Sequence, residues 1–312
     1  MPLLARKKVL LAKIETTYGT DPTPTGVANA ILVSNLTITP QDADLANRDL
    51  IRPYIGRSEQ LPAALRAMLE FEVELAASGA AGTAPGWGPL MRACGFSETI
   101  VASTSVTYAP VSSNFDSVTL YLNVDGVLHK LTGARGTWSL SMRNKEIPRI
   151  KFALTGIYNA VTDGAAPSPT YTGFQKPLTV SNVNTTPFSL HGYSGVMSEL
   201  SVDMSVAVVH RSLVGGSEQV LITDRQPQGS INIEATTVAA KDWWTIAKNA
   251  TLGALSVTHG TAAGNKVQLT TGSTVQLTQP TYTELDGVQM LQMGLQFVPG
   301  SSGNDELSLV CT

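Results

Sequence analysis

Alternating apolar and polar positions recur along the chain and predict β-strands rather than helices. One such run covers residues 31–39, and a second follows at residues 69–75 after a charged, turn-rich segment. The predicted order is therefore strand, long loop, strand. In the second run, four apolar side chains would face a core and three carboxylates the opposite side of a sheet: Leu69, Phe71, Val73 and Leu75 against Glu70, Glu72 and Glu74.

The same order returns in the second half of the chain. Residues 200–208 and 231–235 alternate as strands, and a loop rich in charge and turn residues separates them. A short helix containing tryptophan follows the second strand of each half, at residues 87–94 and at residues 241–248. Because element order repeats in this way, the sequence predicts a mainly β chain built from two tandem units.

A segment rich in glycine, proline and serine separates the two predicted units. The chain then divides into an N-terminal arm (1–30), a first domain (31–158), a linker (159–172) and a second domain (173–312). Pro22 and Pro24 exclude a regular helix from the arm. The arm is therefore either an unanchored terminus or a segment that packs on a neighbouring subunit.

Turn residues predict a hairpin in each half. Asp125–Gly126 would join strands at residues 118–124 and 127–131, since this dipeptide favours the tight turns of β-hairpins. Gly272–Ser273 would join residues 266–269 to residues 274–277 in the same way.

Charge and motifs exclude several classes of protein. The chain has 312 residues, of which 14% are charged, and a net charge of -3, so no global basic field indicates nucleic-acid binding. No nucleophile, phosphate-binding or dinucleotide-binding motif is present, and the histidines are scattered. The sequence therefore predicts a protein that is not an enzyme and needs no cofactor or metal.

Two cysteines indicate the folding compartment. Cys94 and Cys311 lie far apart and form neither a disulfide framework nor a zinc-ligand pattern, which favours the reducing cytosol. The basic N-terminal residues are followed by an apolar run too short for a secretory signal or a membrane span.

The two charged loops are candidate contact surfaces. Both carry mixed signs of charge, which suits reciprocal salt bridges between subunits better than capture of an anionic ligand. The alternative is that both loops are merely solvated. The candidate contact residues are Asp42, Asp44, Arg48, Asp49, Arg52, Arg57 and Glu59 in the first loop, and Arg211, Glu218, Asp224 and Arg225 in the second.

Several segments along nearly the whole chain resemble the tail tube (major tail) proteins of bacteriophages with long, non-contractile tails. They are residues 13–24 (KIETTYGTDPTP), 223–227 (TDRQP), 242–244 (DWW), 256–260 (SVTHG) with 264–265 (GN), 280–287 (PTYTELDG) and 305–307 (DEL).

The resemblance implies a structural virion protein that self-assembles into stacked rings around a channel for DNA ejection. Each domain would be a tail-tube-type β-sandwich or barrel with one short flanking helix. Family members form hexameric rings of single domains, so two domains per chain would give a trimer with pseudo-sixfold symmetry, the hexamer being the alternative. The charged loops would then reach an adjacent ring.

The resemblance also implies partners and a place of assembly. The partners are other copies of the chain, tape-measure and tail terminator or tip proteins, and double-stranded DNA that passes without sequence-specific binding. Assembly would occur in the cytoplasm of the host bacterium, and the product would be the virion tail.

Glu70, Glu72 and Glu74 would in that case face the lumen, where carboxylates do not bind DNA phosphates. The alternatives for these three residues are a solvated outer face and a catalytic carboxylate pair, but three equivalent acids on a flat face argue against catalysis. The alternative function is a carbohydrate-binding β-sandwich module of a tail tip or cell-surface protein, which would need clustered exposed aromatic residues.

Overall fold

The computed structural model describes residues 2–312 and has a mainly β fold with three short helices, which confirms the predicted fold class. The alternating pattern gives the expected burial, because Leu69, Phe71 and Val73 are almost completely buried on one side of their strand. Each strand of this kind supplies one face to a common core.

The first half of the chain contains ten strands and two helices. They are β1 (Lys8–Ile14), α1 (Gly26–Asn29), β2 (Ala30–Ile31), β3 (Ser34–Asn47), β4 (Gln60–Glu74), α2 (Gly88–Ala93), β5 (Phe96–Val101), β6 (Ser105–Pro110), β7 (Val118–Val124), β8 (Val127–Arg143), β9 (Arg149–Tyr158) and β10 (Thr162–Asp163).

The second half contains eleven strands and one helix. They are β11 (Thr185–Leu190), β12 (Met197–Asp203), β13 (Val206–Arg211), β14 (Gln219–Arg225), β15 (Gln228–Glu234), α3 (Trp243–Lys248), β16 (Leu252–Gly253), β17 (Leu255–His259), β18 (Val267–Thr270), β19 (Val275–Leu285), β20 (Val288–Phe297) and β21 (Ser308–Cys311).

The strands form one large sheet, one six-stranded sheet and a separate hairpin. Eight strands of the large sheet lie side by side in the order β3-β4-β9-β8-β12-β15-β20-β19, and β7, β1 and β2 continue from the base of β8. The six-stranded sheet has the order β11-β17-β18-β21-β6-β5. Both sheets contribute to one hydrophobic core, which also holds Trp243 of α3 and Trp87 of the turn before α2.

The large sheet contains the same strand arrangement twice. The order β3-β4-β9-β8 in the first half corresponds to β12-β15-β20-β19 in the second, and each half adds a hairpin to the other sheet, β5–β6 or β17–β18. The indole of Trp87 donates to the carbonyl of Ala76 (2.9 Å), and that of Trp243 donates to the hydroxyl of Thr236 (3.0 Å). Both acceptors lie two residues beyond the end of β4 or β15, so the two tryptophans are equivalent.

The two repeated units are joined by strand pairing and not only by the chain between them. β8 pairs with β12 from Ser139 opposite Asp203 to Arg143 opposite Glu199. In the six-stranded sheet β21 lies between β18 and β6. The units therefore share two sheets and a core.

Two details differ from the sequence-based expectation. The charged segments expected as loops are largely hairpins, because β3 and β4 extend to Asn47 and Gln60, and β13 pairs with β14. The hairpin expected at Gly272–Ser273 was wrong, since β18 and β19 belong to different sheets. The second-half hairpin turns instead at Asp286–Gly287, where both residues have positive φ, as Asp125–Gly126 do in the first half.

Residues 2–30 are held on their own chain, mainly on its first unit. β1 pairs along its whole length with β7. The buried carboxylate of Glu15 then accepts four hydrogen bonds: from the hydroxyls of Ser117 and Thr119 (2.6 Å each) and from the amides of Gly19 and Gly133 (2.7 Å each). This carboxylate fixes the bend that follows β1.

We expect Glu15→Ala to lower the free energy of unfolding by about 3 kcal/mol, because three buried donors and one partly buried donor lose a charged acceptor. Urea unfolding of the unassembled chain measures this change. Asp49→Ala is the control, since Asp49 is exposed in the β3–β4 turn and its removal should change stability very little. Similar stabilities for both variants would contradict a stabilising role for the Glu15 carboxylate.

Candidate functional site: the open sheet face, the arms and the free edges

One face of the large sheet is open over most of its area and is covered at the base of β8, where the β13–β14 hairpin lies against β8 and β9. The cross-strand registers place Glu72, Lys151, Ser139, Asp203 and Gln228 in one row across it, and none of these side chains is buried. In the part of this face that lies outside the two hairpins and their contacts, the strict alternation of the strands places six carboxylates and three basic side chains: Glu70, Glu72, Glu74, Glu199, Asp203 and Glu234 with Arg143, Arg149 and Lys151.

Three of the carboxylates on the open face form ion pairs with neighbouring strands. The distances between charged atoms are 2.8 Å from Lys151 to Glu70, 3.0 Å from Arg149 to Glu72 and 2.9 Å from Arg143 to Glu199.

Within residues 2–312, Glu74, Asp203 and Glu234 have no ion-pair partner. The open face therefore has a net negative charge, which is spread across both repeated units.

Of the three ion pairs on the open face, those of Lys151 and Arg143 are the most exposed, and the pKa values of both basic groups are raised. A hydrogen bond from Lys151 to Glu70 raises the pKa of Lys151, and a hydrogen bond from Arg143 to Glu199 raises that of Arg143. Both side chains remain cationic at neutral pH. The sequence-based expectation located Glu70, Glu72 and Glu74 on one face but missed their partners, although the alternation Arg149-Ile-Lys151 was a readable signal for them.

The first arm is the outer part of the β3–β4 hairpin, residues 40–66. Arg66 pairs with Asp42 (2.7 Å) and Asp44 (3.1 Å) across the hairpin. Nearer the tip, Glu59 pairs with Arg48 and with Arg52. Asp49 and Arg57 are exposed at the tip, where Ile51 and Ile55 are also completely exposed.

The second arm is the β13–β14 hairpin, residues 206–225, and its base lies against the first unit. The amide of Val206 donates to the hydroxyl of Thr137 (3.1 Å), and Arg135 donates to the carbonyl of Val220 (2.9 Å). Arg211 is exposed, and Glu218 contacts His210 within the arm (2.6 Å).

Arg225 is held at the base of the second arm. It pairs with the buried carboxylate of Glu306 (2.9 Å) and donates to the carbonyl of Val111 (2.5 Å). Of the charges predicted in the second loop, Asp224 and Arg225 therefore lie at the base, whereas Arg211 and Glu218 lie toward the tip.

Two of the eight strands in the repeated arrangement leave a backbone edge without a partner among residues 2–312. β3 pairs with β4 alone, and β19 pairs with β20 on one side and with β16 only at Val275 and Gln276 on the other. Tyr282, in the unpaired part of β19, is 56% exposed, and the centroid of its ring lies 5.3 Å from the centroid of the Trp244 ring. The sequence did not indicate these edges, because alternation gives the faces of a strand but not its neighbours.

No group of three or more metal-ligating side chains lies together in residues 2–312. None of the helices in this range is both long enough and apolar enough to cross a membrane. Glu70 and Glu72 pair with separate basic partners on an exposed face, an arrangement that does not supply the desolvated acid of a carboxylate pair.

Ion pairs on the open face and at the base of the second arm should differ in their effect on stability. We expect Lys151→Ala to change the free energy of unfolding by less than about 1 kcal/mol, because the pair with Glu70 is exposed. Glu306→Ala should cost about 2–3 kcal/mol, since it leaves the Arg225 guanidinium partly buried without its counter-charge. Urea denaturation of both variants measures the difference, and equal losses would contradict it.

Comparison with known proteins relates this open sheet to one family. No curated protein gave a significant match. A family model described as phage tail tube protein matches residues 5–296, which include both arms and the eight strands of the repeated arrangement except Phe297, the last residue of β20. The match confirms the expected resemblance at the level of a structural phage tail component. Since it covers almost the entire sequence, the chain belongs to the phage tail tube protein family.

Proposed function

We propose that this protein is a virion subunit of a long, non-contractile tail, and that it self-assembles into stacked rings forming a tube for DNA ejection. The observation that carries the proposal is the repeated strand order, which ends in a free edge at β3 and another at β19. Unpaired backbone groups on a strand edge favour pairing with another chain. A ring that joins β19 of each chain to β3 of the next removes both edges.

Three chains are the favoured number. Each chain then supplies two tube units, in keeping with the proposed division into domains at residues 31–158 and 173–312, and the ring has pseudo-sixfold symmetry. Three chains with eight strands each would form a barrel of about twenty-four strands, roughly 45–50 Å across between backbones if the strands tilt by about 40°. Side chains would leave a channel wide enough for a DNA duplex. A hexamer of chains is the alternative.

The open face of the large sheet would line this channel. Its excess of carboxylates, with Glu70, Glu72 and Glu74 on one strand, supports a wall that repels phosphates and lets DNA pass without binding. Lys151, Arg149 and Arg143 are each paired with a carboxylate, so they would not hold the DNA backbone.

The tips of both arms would contact an adjacent ring. In the first arm the exposed Ile51 and Ile55, with Asp49 and Arg57 beside them, combine apolar surface with charge, as protein interfaces commonly do. In the second arm Val214 is exposed in the same way, next to Arg211 and Glu218. Stacking would add tail terminator, tip and tape-measure proteins as partners, with assembly in the host cytoplasm.

A carbohydrate-binding module is the less favoured function. Trp244 and Tyr282 form an exposed aromatic pair, but this pair lies beside the free edge of β19, where a second chain would cover it. The family match supports a structural role and not binding of a sugar.

We expect the purified protein to form rings or tubes of regular bore in negative-stain electron microscopy, and mass photometry to give single rings with the mass of three chains. A protein that stays monomeric at every concentration tested would overturn the proposed function. Rings of six chains would reject the trimer alone.

The arms provide a separate test of stacking. We expect Ile51→Asp with Ile55→Asp to leave single rings intact and to abolish long tubes, because charges replace the apolar part of the contact between rings. Val183→Asp changes an exposed apolar position outside both arms; it is the control and should form normal tubes. Normal tubes from the arm variant would show that these two residues do not join the rings.

A further inference from the structure

The last strand of each repeated unit has the same division into a base and an outer part. The base of β8 pairs with β7, and its outer part, Ser139 to Arg143, pairs with β12. The base of β19 pairs with β16 at Val275 and Gln276, and among the described residues the outer part of β19 has no partner on that side. The outer part of β19 therefore has an unpaired edge at the position where the outer part of β8 pairs with the first strand of the next unit.

Equivalent residues in the two units follow from the tryptophan hydrogen bonds. The acceptors Ala76 and Thr236 are equivalent, so Val73 and Ile233, three residues earlier, are equivalent too. Val73 lies opposite Ile150, and Ile233 lies opposite Leu291. On the next strand, the residues opposite these two are Leu140 and Tyr282, which are therefore equivalent positions of β8 and β19.

The first strand of each unit, β3 or β12, gives a second pair of equivalent residues. Seven residues before Ala76 and Thr236 lie Leu69 and Gly229. Leu69 is opposite Ile38 on β3, and Gly229 is opposite Val202 on β12. Ile38 and Val202 are therefore equivalent positions of the first strand in each unit.

At the internal junction, where β8 of the first unit pairs with β12 of the second, Leu140 lies opposite Val202. We propose that the junction between chains repeats this register, so that Tyr282 of one copy lies opposite Ile38 of the next. Thr283 then lies opposite Thr37, and Thr281 opposite Thr39. This inference rests on the proposed function, and it adds the strand register and the residues that meet.

Exposure of the side chains agrees with a missing neighbour. Leu140 is 2% exposed because β12 covers it, whereas the equivalent Tyr282 is 56% exposed. Ile38 is only partly buried, although the equivalent Val202 is almost completely buried. Joining β19 to β3 would bury both side chains beside the ring of Trp244.

The junction between chains differs from the internal one in charge. Arg143 and Glu199, which form an ion pair at the internal junction, lie three residues after Leu140 and three residues before Val202. The equivalent positions by the same count are Leu285 and Asn35. The seam between chains therefore lacks this ion pair: Leu285 would lie opposite Asn35, and Glu284, the charged residue in 281–285, would lie opposite Leu36. Because no ion pair crosses the seam, its formation should not weaken as salt is raised.

Cysteine pairs test this register. Thr37→Cys with Thr283→Cys should give covalent ladders of up to three chains when assembled protein is oxidised or treated with a short bifunctional thiol reagent. Ser141→Cys with Ser201→Cys has the same geometry inside one chain and is the matched positive control. Thr39→Cys with Thr283→Cys is displaced by two residues and should cross-link weakly, because its Cβ atoms would be about 7–8 Å apart. The native Cys94 and Cys311 are buried and do not compete.

The outcomes separate the register from the function. The proposed register is wrong if assembled tubes cross-link through the displaced pair. It is also wrong if neither inter-chain pair cross-links while the internal control does. Neither result contradicts the formation of a tube. Failure of the unmodified chain to form rings overturns the proposed function.

Hydrogen exchange tests the same register in the unmodified protein. Amides of residues 36–39 and 281–285 should become protected on assembly, whereas those of 139–143 are protected already. Unchanged exchange at both edges in formed tubes would also overturn the register.

Discussion

Backbone pairing between β8 and β12 is the contact on which the rest of the molecule depends. It converts two four-stranded units into one continuous sheet, and it places Leu140 and Val202 in the shared core. Without this pairing, each unit would expose a row of unsatisfied amides and carbonyls, groups that are costly to leave unpaired in a protein interior and prone to join foreign strands at a surface. The same pairing sets the direction in which the second arm reaches back over the first unit.

Alternation of side chains made the faces of the sheet readable from the sequence. The core positions Leu69, Phe71 and Val73, the three glutamates opposite them and the equivalent tryptophan-bearing helices all follow from local periodicity, and the structure agrees with each. The tight turn at Asp125–Gly126 was readable because few dipeptides accept positive φ at two consecutive residues.

Pairing between distant strands was not readable in the same way. β18 and β19 follow each other closely, yet they enter different sheets, because the chain crosses the core between Thr270 and Val275. The partners of a strand depend on long-range packing that a single sequence does not encode as a local pattern. For the same reason the free edges at β3 and β19 became visible only when all the registers were known. The first arm looked like a loop because Pro62 interrupts the pattern of β4.

The two arms of one chain are unequal in length, and this has a consequence for the shape of an assembled tail. The turn of the first arm spans residues 48–59, and that of the second spans residues 212–218. A ring of three chains would present long and short projections in alternation. One ring could then stack on the next only in orientations that bring long projections over long ones and short over short. A ring of three chains has three such orientations, half the number that a ring of six identical subunits would have. Torsion applied at one end of such a tube would be transmitted along it without slipping by a sixth of a turn.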